Sequence, residues 1–284
     1  MASGGPTLGA ALARARTLGL DRLDAELLAA HVCGLPRAAV IAHPERALDG
    51  AAAARLEALV GERARGVPLA YLLGERGFRG LLLTVNPDVL IPRGDTETLV
   101  EVALDAPVPE RARVLDLGTG SGAVALALAA ARPHWTITAT DRSPAALAVA
   151  RGNGERLGLG NVGWREGDWF AAVAEARFDL IVSNPPYVAT DDPELAADVA
   201  AFEPAAALFA GPDGLDAIRR IAADAPTRLL PGGTLALEHG HRQGEAVRAL
   251  LAAAGLEAVD TRPDLAGRPR VTSGRRPTGS HDGG

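Results

Sequence analysis

Val114-Leu115-Asp116-Leu117-Gly118-Thr119-Gly120-Ser121-Gly122 decides the fold of this 284-residue chain. The first four residues read as a strand. The glycines after them let the backbone turn tightly and approach a ligand with no Cβ in the way. An alanine-rich stretch with the look of a helix follows, and the strand–helix alternation then repeats. Strands are predicted over 135–140, 162–165, 178–183 and 234–238, with the last two over 257–261 and 269–274. Helices are predicted from the second strand through Ala150, near 214–229 and near 243–254. Such alternation implies an α/β layer fold with a mostly parallel sheet.

Upstream, residues from Thr7 to about Leu73 are rich in alanine and leucine at helical spacing. Leu23, Leu27 and Leu28 are predicted on one helix face after an Asp21 cap, and Leu56, Leu59 and Val60 on another after Asp49. Between the helical part and the α/β part, Leu81–Val85 and Val89–Ile91 flank Asn86-Pro87-Asp88, which reads as a hairpin. Asp95 or Thr96 is then placed to cap a helix burying Leu99, Val100, Ala103 and Leu104. The resulting division is a helical domain over 1–75, a hairpin linker over 76–94, an α/β domain over 95–275 and a disordered tail over 276–284.

The composition limits the function. Net charge is −6 and the sequence contains no lysine, only arginine, which argues against a broad basic surface for duplex nucleic acid. Cys33 is the only cysteine, so no intrachain disulfide can form. The histidines have no metal-ligand spacing, and no metal is expected. No apolar run is long enough to span a membrane and no signal pattern opens the chain, so a cytoplasmic, monomeric protein is expected.

Three constellations carry chemistry. Asp116 through Gly122 lies at the end of the first α/β strand, and Asp141, about 20 residues beyond the glycine run, ends the next. A carboxylate there suits a ribose diol, so the pair reads as a nucleoside site at a sheet's carboxyl edge. Gly118, Gly120 and Ala123 also satisfy a relaxed dinucleotide pattern, so this loop alone leaves the nucleoside open. Gly167-Asp168-Trp169-Phe170 follows the third strand, where a carboxylate and an aromatic suit an adenine ring. Asn184-Pro185-Pro186-Tyr187 follows the fourth. Two prolines cannot continue a central strand; they fix a turn that presents an amide, carbonyls and an aromatic ring. By itself this run is also what a proline-rich strand stop looks like. Loops after successive parallel strands converge on one edge, so all of these residues are expected around one crevice.

With these motifs in order, the chain resembles the class I S-adenosylmethionine-dependent methyltransferases that act on nitrogen. These include DNA adenine, RNA guanine and protein glutamine enzymes. Ile91-Pro92-Arg93-Gly94-Asp95-Thr96-Glu97 resembles a signature of the peptide chain release factor glutamine N5-methyltransferases. So do Pro68-Leu69-Ala70-Tyr71, Phe202-Glu203-Pro204, Leu237-Glu238-His239-Gly240 and Arg270-Val271-Thr272. The resemblance spans roughly residues 20 to 275. Gly94 stands where that family usually has proline, and Arg79 where an aromatic is common. A sister family acting on a ribosomal protein shares the core motifs, and Thr96-Glu97 favours the release-factor branch.

The resemblance implies a Rossmann-like domain with a mostly parallel seven-stranded sheet, preceded by a small all-α domain and a hairpin linker. It implies S-adenosyl-L-methionine as methyl donor and S-adenosyl-L-homocysteine as product. Gly118, Thr119, Gly120, Ser121, Gly122, Asp141, Asp168, Trp169 and Asn184 would bind the cofactor. Asn184, Pro185, Pro186 and Tyr187 would form the catalytic grip. There the Asn184 side-chain oxygen and the Pro185 carbonyl accept the two N–H groups of a substrate amide, Tyr187 packs on the amide plane and Pro186 stiffens the turn. The implied substrate is the glutamine of the Gly-Gly-Gln loop of class 1 release factors, with the helical domain docking the factor's body. A nucleic-acid amino methyltransferase and a non-catalytic nucleoside- or NAD-binding protein remain as alternatives.

Overall fold

The computed structural model describes residues 5–279. Two compact units divide the chain. One is a helical unit ending at Glu75 and joined by Ala197–Phe202; the other runs from Arg76 to Ala196 and from Glu203 onward.

The helical unit contains α1 (Leu8–Thr17), α2 (Arg22–Cys33), α3 (Arg37–Ala42), α4 (Gly50–Ala64) and α5 (Leu69–Leu73). Asp21 and Asp49 cap α2 and α4 by accepting the Asp24 and Ala52 amides, each at 2.7 Å. Leu28, Ala25 and Ala29 of α2 meet Leu56 and Val60 of α4 in one core. Leu23 is a correction: it is exposed, because α2 turns Asp24 and Glu26 inward instead. Those two carboxylates are buried and ion-paired, Asp24 with Arg63 at 2.5 Å and Glu26 with Arg22 and Arg37. The short helix α9 (Ala197–Phe202) belongs to this unit, and the Phe202 ring lies against Gly66.

The second unit opens with a hairpin of β1 (Glu75–Phe78) and β2 (Leu81–Thr84). This corrects the expected pairing of Leu81–Val85 with Val89–Ile91. The strands turn at Arg79 and Gly80, with φ of 47° and 78°, the two positive values a two-residue hairpin turn requires. Arginine at the first of these positions disguises the turn in the sequence. The structure shows what holds Arg79 there: its amide donates to Glu97 and its guanidinium to Glu101 at 3.0 Å. Asn86-Pro87-Asp88 is instead a local turn in which Asn86 Oδ1 accepts the Asp88 amide at 3.0 Å.

The helices that follow are α6 (Glu97–Asp105), α7 (Ala123–Ala131), α8 (Pro144–Leu157), α10 (Ala205–Leu208), α11 (Asp216–Arg228) and α12 (Gly244–Ala253). They alternate with β3 (Arg113–Leu117), β4 (Thr136–Asp141), β5 (Val162–Glu166), β6 (Phe178–Ser183), β7 (Leu229–Glu238), β8 (Glu257–Pro263) and β9 (Pro269–Arg275). The strands form one seven-stranded sheet in the order β5-β4-β3-β6-β7-β9-β8. Neighbours from β5 to β7 are parallel, and only β9 runs antiparallel to its neighbours. The fold is α/β, with a mostly parallel seven-stranded sheet, as expected from the sequence.

Alternation along the strands sorts side chains to two faces. Val114, Leu180, Val182 and Ala236 join α6 and α7 on one side of the sheet; Leu115, Leu117, Ile181, Leu235 and Leu237 join α11 and α12 on the other. Asp116, Asn184 and Glu238 therefore fall on the α6–α7 side, two residues on from Val114, Val182 and Ala236.

Asn153, fully buried on α8, ties the hairpin to the glycine loop. Its Oδ1 accepts the Thr84 amide at 2.7 Å, and its Nδ2 donates to the Thr84 and Ser121 carbonyls at 3.0 Å each. Asn153→Leu matches the branched heavy-atom outline but leaves the Thr84 and Ser121 backbone groups without these partners. It is expected to lower unfolding free energy by about 2 kcal/mol, read by urea denaturation; an unchanged midpoint would contradict the bracing role.

Arg276, assigned from sequence to a disordered tail, is instead buried. Its guanidinium donates to the Leu229 carbonyl at 2.6 Å and its amide to the Gly233 carbonyl at 2.8 Å. Residues 280–284 of that tail lie outside the described residues. Among the described residues no helix is long and apolar enough to cross a membrane.

Candidate active site

Because β3, β4, β5 and β6 run parallel, the loops that follow them emerge along one sheet edge. A cavity of about 420 Å3 lies there, within the range typical of small-molecule sites. Of the cofactor residues expected from sequence, Gly118, Thr119, Gly120 and Ser121 line it, as do Asp141, Asp168, Trp169 and Asn184. Of the expected catalytic residues, Asn184 and Pro186 line it.

The glycine loop is held from both ends by carboxylates. Asp141, at the tip of β4, accepts the Gly120 amide on Oδ2 and the Ser143 amide on Oδ1, each at 2.9 Å. Ser143 in turn caps α8 through the Ala146 amide, so Asp141 sits where the α8 dipole favours negative charge. Asp116 lies beneath the loop, almost wholly buried, and accepts the Thr119 hydroxyl at 2.7 Å. Burial pushes its carboxyl up to about 7, although the Thr119 hydrogen bond favours the ionised form.

Gly122 departs from expectation. It begins α7 with φ of 84° but does not line the cavity. A Cβ there would meet Leu126, Ala150 and Trp164 at 3.0–3.3 Å. This glycine serves helix packing, whereas Gly118 and Gly120 face the ligand space. Trp169 holds a left-handed backbone, φ 49°, and its ring lies over Gly118. Such strain in a large residue is concentrated at functional sites. Asp168 beside it is ion-paired with Arg220 of α11 at 2.7 Å, both half-exposed.

At the end of β6, Asn184 Nδ2 donates to Thr96 Oγ1 at 3.1 Å. Pro185 is buried and does not line the cavity. Tyr187 corrects the expected stacking on a substrate amide. Its ring packs against the core on the α11–α12 side, its hydroxyl donates to Glu238 Oε1 at 3.2 Å, and it stays out of the cavity lining. Burial, with the Glu238 charge beside it, pushes the phenol well above its usual range. Tyr187 therefore anchors the tetrapeptide to the end of β7.

Read from sequence, Thr96 has only a helix-capping role, and Pro92, Arg93, Glu203 and Glu238 are parts of signatures with no place in the site. Thr96 does not cap α6; its hydroxyl faces Asn184. Glu238 is fully buried, and burial pushes its carboxyl up to about 7 while hydrogen bonding from Thr96 and Tyr187 favours its ionised form. Glu203 is buried and pairs with Arg93, and it also accepts the Ile91 amide at 3.1 Å. Pro92 and Arg93 line the cavity, so this carboxylate holds one of its walls. The available signal was an ionisable residue closing an apolar run, as in Leu235-Ala236-Leu237-Glu238. Its partners lie far away in sequence.

Comparison with known proteins gives the family of the chain. The family described as "Methyltransferase small domain" matches residues 95–214, and "PrmC N-terminal domain" matches residues 8–74. A protein named release factor glutamine methyltransferase from Xylella fastidiosa strain Temecula1 is 53% identical over 269 residues, covering 94% of this chain and 98% of its own. One of the same name from Pseudomonas aeruginosa is 51% identical over 254 residues, covering 89% and 92%. Among solved structures, a methyltransferase from Pyrococcus furiosus superposes with a TM-score of 0.53 at 21% identity, over 70% of this chain and 90% of that one. That likeness speaks to the fold.

Proposed function

The chain belongs to the release factor glutamine methyltransferases, and from that premise we propose that it methylates the side-chain nitrogen, N5, of the glutamine in the Gly-Gly-Gln motif of class 1 release factors. The observation that carries this reading is the placement of Asn184. Its carboxamide lines the same cavity as the glycine loop and Asp141, and its NH2 end is engaged by Thr96. The oxygen end is thereby left to accept a hydrogen bond from a substrate amide.

The donor set of the cavity fits S-adenosyl-L-methionine. Asp141 would receive the ribose hydroxyls, the Gly118–Ser121 backbone would receive the polar amino-acid end, and Trp169 with Asp168 would flank the adenine. When bound, this cofactor supplies an electrophilic sulfonium methyl group and leaves as S-adenosyl-L-homocysteine, and one amide N–H proton is released to solvent after the methyl has moved to nitrogen.

An amide nitrogen is a poor nucleophile because its lone pair is delocalised into the carbonyl. Asn184 Oδ1 would accept one N–H of the substrate, fixing the nitrogen and favouring lone-pair build-up on it; the Pro185 carbonyl is the proposed acceptor of the other, although its residue is buried and outside the cavity lining. Positioning of this kind contributes on the order of 7–11 kcal/mol, whereas a general base adds about 10²–10⁴-fold. Pro186 stiffens the turn, and Tyr187 pins it to Glu238. The helical unit would dock the body of the release factor, and the substrate sets the reaction in the cytoplasm.

The test is incubation of the protein with a class 1 release factor, a ribosomal protein fraction, RNA and methyl-labelled S-adenosylmethionine. Label on N5 of the Gly-Gly-Gln glutamine, located by peptide mass spectrometry, is the expected result. Label confined to ribosomal protein or RNA, or absent, overturns the reading.

A further inference from the structure

Glu238 is a carboxylate buried to 0% exposure at the end of β7, an expensive place for a charge unless something uses it. Its Oε1 accepts the Tyr187 hydroxyl, while Oε2 is buried with no hydrogen-bond partner. The charged groups facing it are Arg270 and Asp95, which are themselves paired at 3.1 Å. Arg270 is further committed to Asp264, so no guanidinium is dedicated to Glu238. Neighbouring His239 is directed elsewhere, to the Gly240 carbonyl and Thr272 Oγ1. The β6–β7 register pairs Ser183 with Leu237 and so sets Asn184 beside Glu238; Thr96 Oγ1, 3.1 Å from the Asn184 amide, is a hydroxyl at that spot, and its influence on Glu238 favours the ionised carboxylate.

A carboxamide has a donor end and an acceptor end of nearly identical shape, and nothing in its own geometry selects between them. A hydroxyl can donate to only one partner at a time. A hydroxyl proton turned toward a buried carboxylate leaves the oxygen to accept, and the neighbour it accepts from must present N–H. We propose that Glu238 and Thr96 form a positioning pair that fixes the polarity of the Asn184 amide, turning Nδ2 inward and Oδ1 toward the reacting nitrogen. Without the pair the Asn184 amide is free to flip. In the flipped state an NH2 meets an NH2, and the substrate amide is repelled where it should be gripped. This inference rests on the proposed grip of a glutamine amide by Asn184, and extends it to Thr96, which lines the cavity beside Asn184, and to Glu238, which lies outside the lining.

The experiment uses the full chain at pH 8. Thr96→Val removes the hydroxyl at constant shape, Thr96→Ser keeps it, and Glu238→Gln removes the charge. Thr96→Val is expected to lower kcat toward the release factor about 20-fold and Glu238→Gln about tenfold. The Kd for S-adenosylmethionine, by calorimetry, stays within about twofold in both. Thr96→Ser returns to within about threefold of wild type. A purely structural role predicts losses that follow thermal stability and no rescue by serine. Wild-type kcat in Thr96→Val, or a Thr96→Ser as impaired as Thr96→Val, overturns the proposal.

A second readout needs no substrate. In the wild type one Asn184 Nδ2 proton, tied to Thr96, should exchange slowly with solvent by NMR, and it should exchange rapidly in Thr96→Val. Equal exchange in the two proteins overturns the proposal. If wild type transfers no methyl to the release factor, the substrate reading fails, and the exchange experiment still decides the polarity of Asn184.

Discussion

Asn184→Ala is expected to lower kcat toward a class 1 release factor on the order of 10³-fold while the Kd for S-adenosylmethionine changes by no more than about threefold. The magnitude follows from what one preorganised hydrogen-bonding group at a reacting centre is worth. The separation of the two effects follows from the structure. Asp141 and the glycine loop are braced by their own hydrogen bonds, to the Gly120 and Ser143 amides and between Thr119 and Asp116. None of these passes through Asn184. Truncating it frees Thr96 Oγ1 from the Asn184 amide but leaves Glu238 held by Tyr187, so the turn keeps its anchor. The test is steady-state transfer at saturating cofactor beside calorimetric titration of cofactor into the same preparation. Wild-type turnover in the variant would remove Asn184 from the chemistry. A cofactor affinity that collapses together with kcat would make it a binding residue instead.

The parts of this architecture that were legible in the sequence are those encoded locally. The run from Val114 to Gly122 announces a strand ending in a turn that bulky residues cannot make, and Asp141, Trp169 and Asn184 each fall directly after a further strand. Parallel topology then brings them to one edge, since every such strand ends on the same side. Local reading failed where two causes produce the same residue. Gly122 looks like its neighbours in the glycine run, yet what excludes a side chain there is its left-handed backbone and the crowding by Leu126 of α7, Ala150 of α8 and Trp164 of β5. Arg79 hid a hairpin turn because its left-handed backbone is supported by Glu97 and Glu101, eighteen or more residues away. Tyr187 reads as an aromatic wall for a substrate until the end of β7 is seen beside it, with a carboxylate waiting for the hydroxyl. The Thr96, Asn184 and Glu238 cluster lay beyond reach for the same reason. Each residue sits in a different motif, and only the β6–β7 pairing and the packing of α6 on that face bring them together.

Asp141→Ala gives the complementary result: an S-adenosylmethionine Kd raised on the order of 10²-fold, with kcat at saturating cofactor within about threefold of wild type. A factor of that size corresponds to about 2.7 kcal/mol, within the reach of one or two lost hydrogen bonds to a charged group. Two effects add. The carboxylate is positioned to accept the hydroxyls of a nucleoside ribose, and it also organises the surface on which the rest of the ligand lies. Without it the Gly120 and Ser143 amides lose their acceptor, and the loop from Gly118 to Ser121 keeps only the Thr119 amide on the Thr140 carbonyl as a tie to β4. Asp141→Asn separates the two contributions. Both carboxylate oxygens face backbone N–H donors, so an amide of the same shape can satisfy only one of them and must point its own NH2 at the other. The asparagine variant should therefore bind about tenfold more weakly than wild type, between wild type and alanine, and should melt below wild type. Calorimetry with S-adenosylhomocysteine, which cannot transfer a methyl group, measures this without turnover. Wild-type affinity in the alanine variant would show that the ribose is held elsewhere. An asparagine variant indistinguishable from wild type would show that neither the negative charge nor the second acceptor oxygen is needed.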